Sequence, residues 1–255
     1  MPKKIKETFS FWEERARNVR DVPSVTHPDV FQRRLEIDTI KQYLKKSDRV
    51  LDVGCGNGYG TAFYSDFCKK ISGMDFSPMM IKRAKVENSK GGRIGYAVAD
   101  VRNYRSPEKY SKIITTRCLI NILDWGGQKK AMKNIARLLE KGGTFLMMEA
   151  IADGREELNN LRVRLGLPRL PKVIHNLDFR KARTEKYLRR FFKIEKFHSF
   201  GNYEFIVRII HPLFVLPKQP VLGSKFHEIA VKICGTVPDS YPLIGKFGLW
   251  VLKKR

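Results

Sequence analysis

Residues 50–60 read VLDVGCGNGYG: an apolar run containing one acid, then glycines at every second position. The apolar run predicts a short buried strand, the glycines a turn, and YGTAFYSDFCKK after them a helix. A strand, a glycine turn and a helix N-terminus can offer backbone N–H groups to an anion or a polar ligand tail. Missing side chains let such a ligand approach the chain closely. One short stretch thus commits the chain to a ligand-binding edge at the carboxyl end of a strand.

The same strand–helix unit recurs on both sides of it. FQRRLEIDTIKQYLKK (31–46) sets Ile37, Ile40 and Leu44 on one helical face. KISGMD (70–75) reads as a second strand, and SPMMIKRAKVEN (77–88) as a helix with Ser77 as N-cap and Pro78 at its first position. IGYAVAD (94–100) and KIITTRC (112–118) are the third and fourth strands. GQKKAMKNIARLLEKGG (127–143) is an amphipathic helix with Ala131, Ile135, Leu138 and Leu139 inward and a glycine stop, and TFLMMEA (144–150) is a buried fifth strand. Such alternation predicts an α/β fold, a doubly wound parallel sheet with helices on both faces.

After residue 150 the pattern loosens. A long segment follows, then a helix and strand in TEKYLRRFFKIEKFHSF, then about forty residues before a terminal strand FGLWVLKK (247–254). Insertions of that length are expected to form a cap. The chain divides into an N-terminal helical lid segment (1–46), a core (47–150), substrate-cap insertions including the sixth strand (151–246), and a terminal strand of the core sheet (247–255).

No apolar run reaches the roughly eighteen residues of a membrane span, and the N-terminus is charged. Cys55, Cys68, Cys118 and Cys234 show no CxxC pair and no metal-ligand spacing. A cytoplasmic protein with reduced thiols and no catalytic metal is expected. The formal charge of +24 is spread along the chain and densest at Arg180–Lys196, with eight basic and two acidic residues. Such a stretch could hold RNA, a phosphorylated substrate or an anionic membrane surface, or be a solvated helix face and strand edge.

The glycines stand as Gly54-x-Gly56-x-Gly58, and Tyr59 takes the third position of a dinucleotide-type G-x-G-x-x-G. Asp52 would repel a pyrophosphate but suits a ligand with an amino group. Asp75 closes the second strand, where a carboxylate can accept two ribose hydroxyls. Asp100 closes the third, where it can take a hydrogen bond from an adenine amino group.

DVGCGNG (52–58), GMD (73–75), ADV (99–101) and LLEKGGTF (138–145), in this order, resemble the class I S-adenosylmethionine (SAM)-dependent methyltransferase family. The resemblance covers about residues 45–150 and the terminal strand. It implies a Rossmann-like seven-stranded sheet whose terminal strand is antiparallel, and SAM as cofactor. It also implies Gly54, Gly56 and Gly58 at the methionyl part, Asp52 at its amino group and Asp75 at the ribose. Phe76 would stack on adenine, with Asp100 and Val101 at its edge. Arg117 and Cys118 would line the sulfonium side, Arg117 as an ion pair or, the favoured reading, a carboxylate clamp.

An oxygen nucleophile needs a base, and the candidates are His175 in VIHN, Glu149 at the end of the fifth strand, and His211 in IIHPL. RCLIN stands where many RNA- and protein-directed relatives carry N/D-P-P-Y/F, which points to the small-molecule branch. The expected reaction is methylation of a hydroxyl on a sugar, glycolipid precursor or metabolite, with an anionic acceptor using the basic cap. The alternatives are an RNA methyltransferase and a non-catalytic SAM-fold binding subunit. Trp12 is expected in a lid over the cofactor or in ordinary packing. Oligomeric state is not legible.

Overall fold

A computed structural model describes residues 3–255, with side chains from Lys6 onward. The strands are β1 (Arg49–Val53), β2 (Lys70–Asp75), β3 (Gly95–Val98), β4 (Tyr110–Thr116), β5 (Leu139–Ala150), β6 (Phe192–Ser199) and β7 (Phe247–Lys254). They form one sheet in the order β3-β2-β1-β4-β5-β7-β6. The first five run parallel, and β7 lies antiparallel between β5 and β6. This is the expected doubly wound α/β sheet with its antiparallel terminal strand.

Helices α1 (Lys3–Asn18), α2 (Val30–Lys41), α3 (Tyr59–Tyr64), α4 (Pro78–Glu87) and α5 (Trp125–Leu138) precede and interleave with the first five strands. Ser77 caps α4 as anticipated, its Oγ accepting from the Met80 amide at 3.0 Å. Two boundaries differ from the sequence reading. Asp124 caps α5 by accepting from the Gly127 amide at 2.6 Å, so the helix begins at Trp125. It stops at Leu138 because β5 already starts at Leu139, passing a register shift against β4 before its regular run. Phe145, Leu146, Met147 and Met148 are fully buried, as a central strand covered on both faces requires.

The C-terminal insertions hold α6 (Ala152–Arg164), α7 (Lys181–Leu188), α8 (Gly201–Phe205), α9 (His211–Val215) and α10 (Lys225–Thr236). A π turn at Ile206–Ile210 joins α8 to α9. Its cause is chemical: Pro212 has no N–H to give the Arg208 carbonyl, and the Arg162 guanidinium donates to that oxygen instead.

Two features position the site. The strand order reverses between β1 and β4, so the loops after these strands diverge and leave a crevice at the carboxyl rim. Because β7 is antiparallel, its first residue, Phe247, pairs with Ala150, the last of β5, and so stands on that same rim.

Candidate active site

A cavity of about 650 Å³ occupies the crevice, within the roughly 300–1,000 Å³ usual for small-molecule sites. Its floor is the loop after β1 and the ends of β2, β3 and β4. Its roof is Phe9, Phe11, Trp12 and Arg15 of α1 with His175 and Asn176. The roof is anchored at several points. Glu13 accepts from the Ser77 hydroxyl at 2.6 Å and the Met79 amide at 3.1 Å, Trp12 Nε1 donates to Asn121 Oδ1, and Arg83 donates to the Ala16 carbonyl at 3.0 Å.

The glycine turn works by shape more than by free amides. Gly54, with φ +70°, would put a Cβ 2.4 Å from the Cys118 sulfur, and Gly56, with φ +57°, one 2.4 Å from the Thr26 methyl. Neither position admits a side chain, and both line the cavity. Their amides are spent internally: Gly54 and Cys55 on the Met74 carbonyl, Gly56 on Asp75 Oδ2, Gly58 on the Cys55 carbonyl. The expected row of amides facing a ligand is therefore corrected to a bare, close-approach surface. Gly58 is corrected too. It caps α3 and packs toward the Tyr96 hydroxyl, which lies 2.5 Å from where its Cβ would stand, and it does not line the cavity.

Asp52 and Asp75 lie buried on the floor, and burial pushes both carboxyls up to about 6. Asp52 accepts from the Thr61 hydroxyl at 2.6 Å; Asp75 accepts from the Gly56 and Ser77 amides, each at 2.9 Å. Phe76 faces the cavity edge-on to Phe9 at 5.8 Å, with Val101 and Asp100 beside it. Burial would raise the Asp100 carboxyl, but hydrogen bonds from the Arg102 side chain and amide outweigh it and hold it low.

Arg117 and Cys118 also line the cavity. Arg117 has φ +51°, rare for a residue with a Cβ and a mark of a tightly determined loop. Its Nη1 donates to Glu36, and its guanidinium lies over the Phe247 ring at 5.6 Å. Of the two expected roles, the ion pair is present. The end of β4 is fixed by Glu149, whose carboxylate accepts from the amides of Cys118, Leu119 and Ile120 at 3.0–3.3 Å. Glu149 is fully buried and does not line the cavity. That corrects it as a base candidate: burial raises it to about 7, and its oxygens are committed to backbone.

A family model described as a methyltransferase domain matches residues 50–143. The carboxy-S-adenosyl-L-methionine synthase of Nautilia profundicola is 28% identical over 63% of this chain and 70% of its own length. Nodulation protein S of Sinorhizobium fredii is 27% identical over 40% of the chain, and the chain spans only 47% of that relative. In structure, the N-methyltransferase NodS from Bradyrhizobium japonicum WM9, in complex with S-adenosyl-L-homocysteine (SAH), aligns over 97% of this chain and 98% of its own. Its TM-score is 0.60 at 15% identity, a likeness of fold. Residues 50–143 thus form a SAM-dependent methyltransferase domain. SAM is its cofactor.

Of the methyltransferase's expected histidines, His175 lies on the cavity wall, stacked on Phe11 at 3.9 Å, and burial lowers its pKa, with Arg15 adding to the effect. His211 does not. It is buried among the C-terminal insertions, stacked on Phe226 at 4.4 Å, so its expected role as a base is corrected to packing. The structure adds wall residues that sequence reasoning passed over: His27, Asp29, Arg33, Glu36, Arg208 and Lys246. His27 Nδ1 lies 2.9 Å from the Asp29 carbonyl, an acceptor only, so the ring nitrogen left bare is Nε2. Burial, reinforced by Arg117, Lys246 and Arg33, keeps this imidazole well below its ordinary pKa. Arg33 is buried without an ion pair among the described residues, its Nε lacking any partner, close enough to Asp52 and Glu36 to feel their charge. One signal was available: Arg33, Ile37 and Ile40 share a helical face, so a cation sits where the pattern calls for an apolar residue.

Proposed function

We propose that this methyltransferase moves the SAM methyl to a hydroxyl of a small molecule, a sugar, glycolipid precursor or other metabolite. The observation that carries the reading is the roofed cavity at the strand switch point, with two neutral imidazoles on its wall. A volume of this size suits a small acceptor better than a polynucleotide backbone, and a hydroxyl on such an acceptor needs a nearby base.

Arg33 and Asp52, near each other but not ion-paired, suit the amino-acid end of the cofactor, the guanidinium for its carboxylate and the buried acid for its ammonium. The orphaned Nε of Arg33 and the bare surface of Gly54 and Gly56 fit that group. Asp75 stands for the ribose hydroxyls, and Phe76, Val101 and Asp100 for the adenine. Cys118, its thiol held far above its ordinary pKa by burial, stays protonated and lines the sulfonium side as a small neutral wall. SAM supplies an electrophilic methyl on sulfur, so the protein's task is alignment and exclusion of water.

His27 is the better-oriented base, because its tautomer is fixed by the Asp29 carbonyl. His175, one of the three base candidates read from the sequence, has no such orienting bond and serves with Phe11 as a wall for the acceptor. Purified protein with methyl-labelled SAM, offered total RNA and a small-metabolite extract, should label the metabolite fraction. In that assay His27→Ala should lower turnover by about 100-fold with SAH affinity within about twofold. Label entering RNA would exclude the small-molecule reading, and unchanged turnover would remove His27 as the base.

A further inference from the structure

The charged side chains on the cavity wall can be matched to partners one by one. Arg102 pairs with Asp100, Arg117 with Glu36, and Arg208 with Asp29 at 3.4 Å and Glu204 at 3.6 Å. Arg15 donates to the carbonyls of Ser24 and Val25 at 2.8 and 2.7 Å. Asp52 and Asp75 are held by a hydroxyl and two amides, and Asp124 by the amide it caps. Among the described residues, two wall cations have neither an ion pair nor a side-chain hydrogen bond. One is Arg33, which the proposed function assigns to the cofactor. The other is Lys246, whose ammonium lies 4.8 Å from the Phe247 ring centre.

Lys246 stands apart from the cofactor floor. It precedes β7, and three strand spacings separate β7 from β1, roughly 14 Å at the rim. Arg117 borders the same Phe247 ring, its guanidinium 5.6 Å from the ring centre and its Nη2 buried without a partner. The half-buried ammonium of Lys246 feels the charges of Glu204, Asp29 and Asp178 but makes an ion pair with none of them, and burial, the largest effect, lowers its pKa. His27 completes the group, standing edge-on to Phe247 at 6.1 Å.

We propose that Lys246, with the free amino group of Arg117, is the subsite for one carboxylate of the methyl acceptor, which is therefore a small hydroxy acid presenting its hydroxyl to His27. The inference deepens the reading above and rests on it. The charge count sets the class. Arg117 is already paired with Glu36, and Lys246 is the one cation of this group without an ion pair, a match for the single charge of a carboxylate, whereas a phosphate dianion would need a second free cation in a water-poor site. An anion here would also offset the two cations that, after burial, hold His27 unprotonated, and so make it a stronger base when the acceptor is present.

The test is calorimetric titration of the SAH-loaded protein with a matched panel of small aromatic and aliphatic hydroxy acids, their primary amides, and phenyl phosphate. At least one acid should bind tenfold or more tightly than its amide. Lys246→Gln should abolish that preference while SAH affinity stays within twofold, and Lys246→Arg should retain it. Equal binding of acids and amides by the wild type overturns the proposal with no variant needed. A preference that survives Lys246→Gln, or loss of SAH binding in that variant, overturns the assignment of this lysine, and phenyl phosphate binding above every carboxylate overturns the charge count. Failure of the wild type to bind SAH would strike the cofactor reading itself, a result separable from all of these.

Discussion

On the cavity floor Asp52 and Asp75 each have a carboxyl raised to about 6, burial being the largest cause for both, with the charge of Asp75 adding to the rise at Asp52 and that of Glu13 to the rise at Asp75. The sign of the consequence runs opposite to the usual acid. Unfolded, these groups release their protons near pH 4, whereas the native, ligand-free protein keeps them to about 6. The native state thus binds more protons across that window, and its stability falls as pH rises through it. Glu149, raised to about 7, extends the fall toward neutrality. Cofactor binding should run the other way, because an ammonium on Asp52 needs the carboxylate. SAH affinity is expected to rise as pH goes from 5 to 7, by about tenfold per carboxylate engaged, while the melting temperature of the ligand-free protein declines. Titration calorimetry and thermal melts at matched pH check both, and an SAH affinity flat over that range would detach both acids from the ligand. These acids were legible because each ends a strand next to glycine or another motif residue. His27, Arg33 and Lys246 were not, because only tertiary folding brings residues 27, 33 and 246 to one wall.

The core elements were legible in the sequence because burial on two faces writes near-continuous apolar runs, and β7 is found at the residues the pattern gives. The insertions were less so. The π turn before Pro212 needs the Arg162 side chain from another helix to satisfy the Arg208 carbonyl, and no local pattern announces that. The expected lid segment lies between these cases. The amphipathic pattern of α1 allows a helix, but its seat over the cavity depends on Glu13, which bonds the Ser77 hydroxyl and Met79 amide at the start of α4. Glu13→Ala removes that anchor while Ser77 still caps α4 through Met80. The expected cost is local, about 1–2 kcal/mol at the α1–α4 contact, in the range of a lost helix-end acceptor. Trypsin should then cut after Arg15 or Arg17 several-fold faster than in the wild type, SAH should slow the cleavage in both, and the global melt should move little. Equal cleavage rates would show that α1 is held by other contacts, those of Trp12 and Arg83 first.

At the scale of the whole molecule the charge of +24 asks for an explanation, and its densest stretch has a structural one. Residues 180–196 are α7 and β6, and β6 is the edge of the sheet. Lysines at 193 and 196 on an edge strand discourage pairing with another sheet. Arg180 and Lys181 are taken up by Asp153, Glu156 and Glu185. No residue of this stretch lines the cavity; of the expected cap insertions, Arg208 and Lys246 bring cations to its wall. Surface charge of this density will still attract polyanions. RNA should bind weakly, with affinity falling by more than about tenfold between 50 and 200 mM KCl, the behaviour of counterion release from diffuse contacts. SAH, held by groups inside the cavity where screening is slight, should change by less than about twofold over the same range. Filter binding for RNA and calorimetry for SAH, run in the same buffers, separate the two cases. RNA affinity that persists at 200 mM KCl and is altered by SAH would mean that the basic surface and the cavity form one site, and the RNA reading would then displace the small-molecule one.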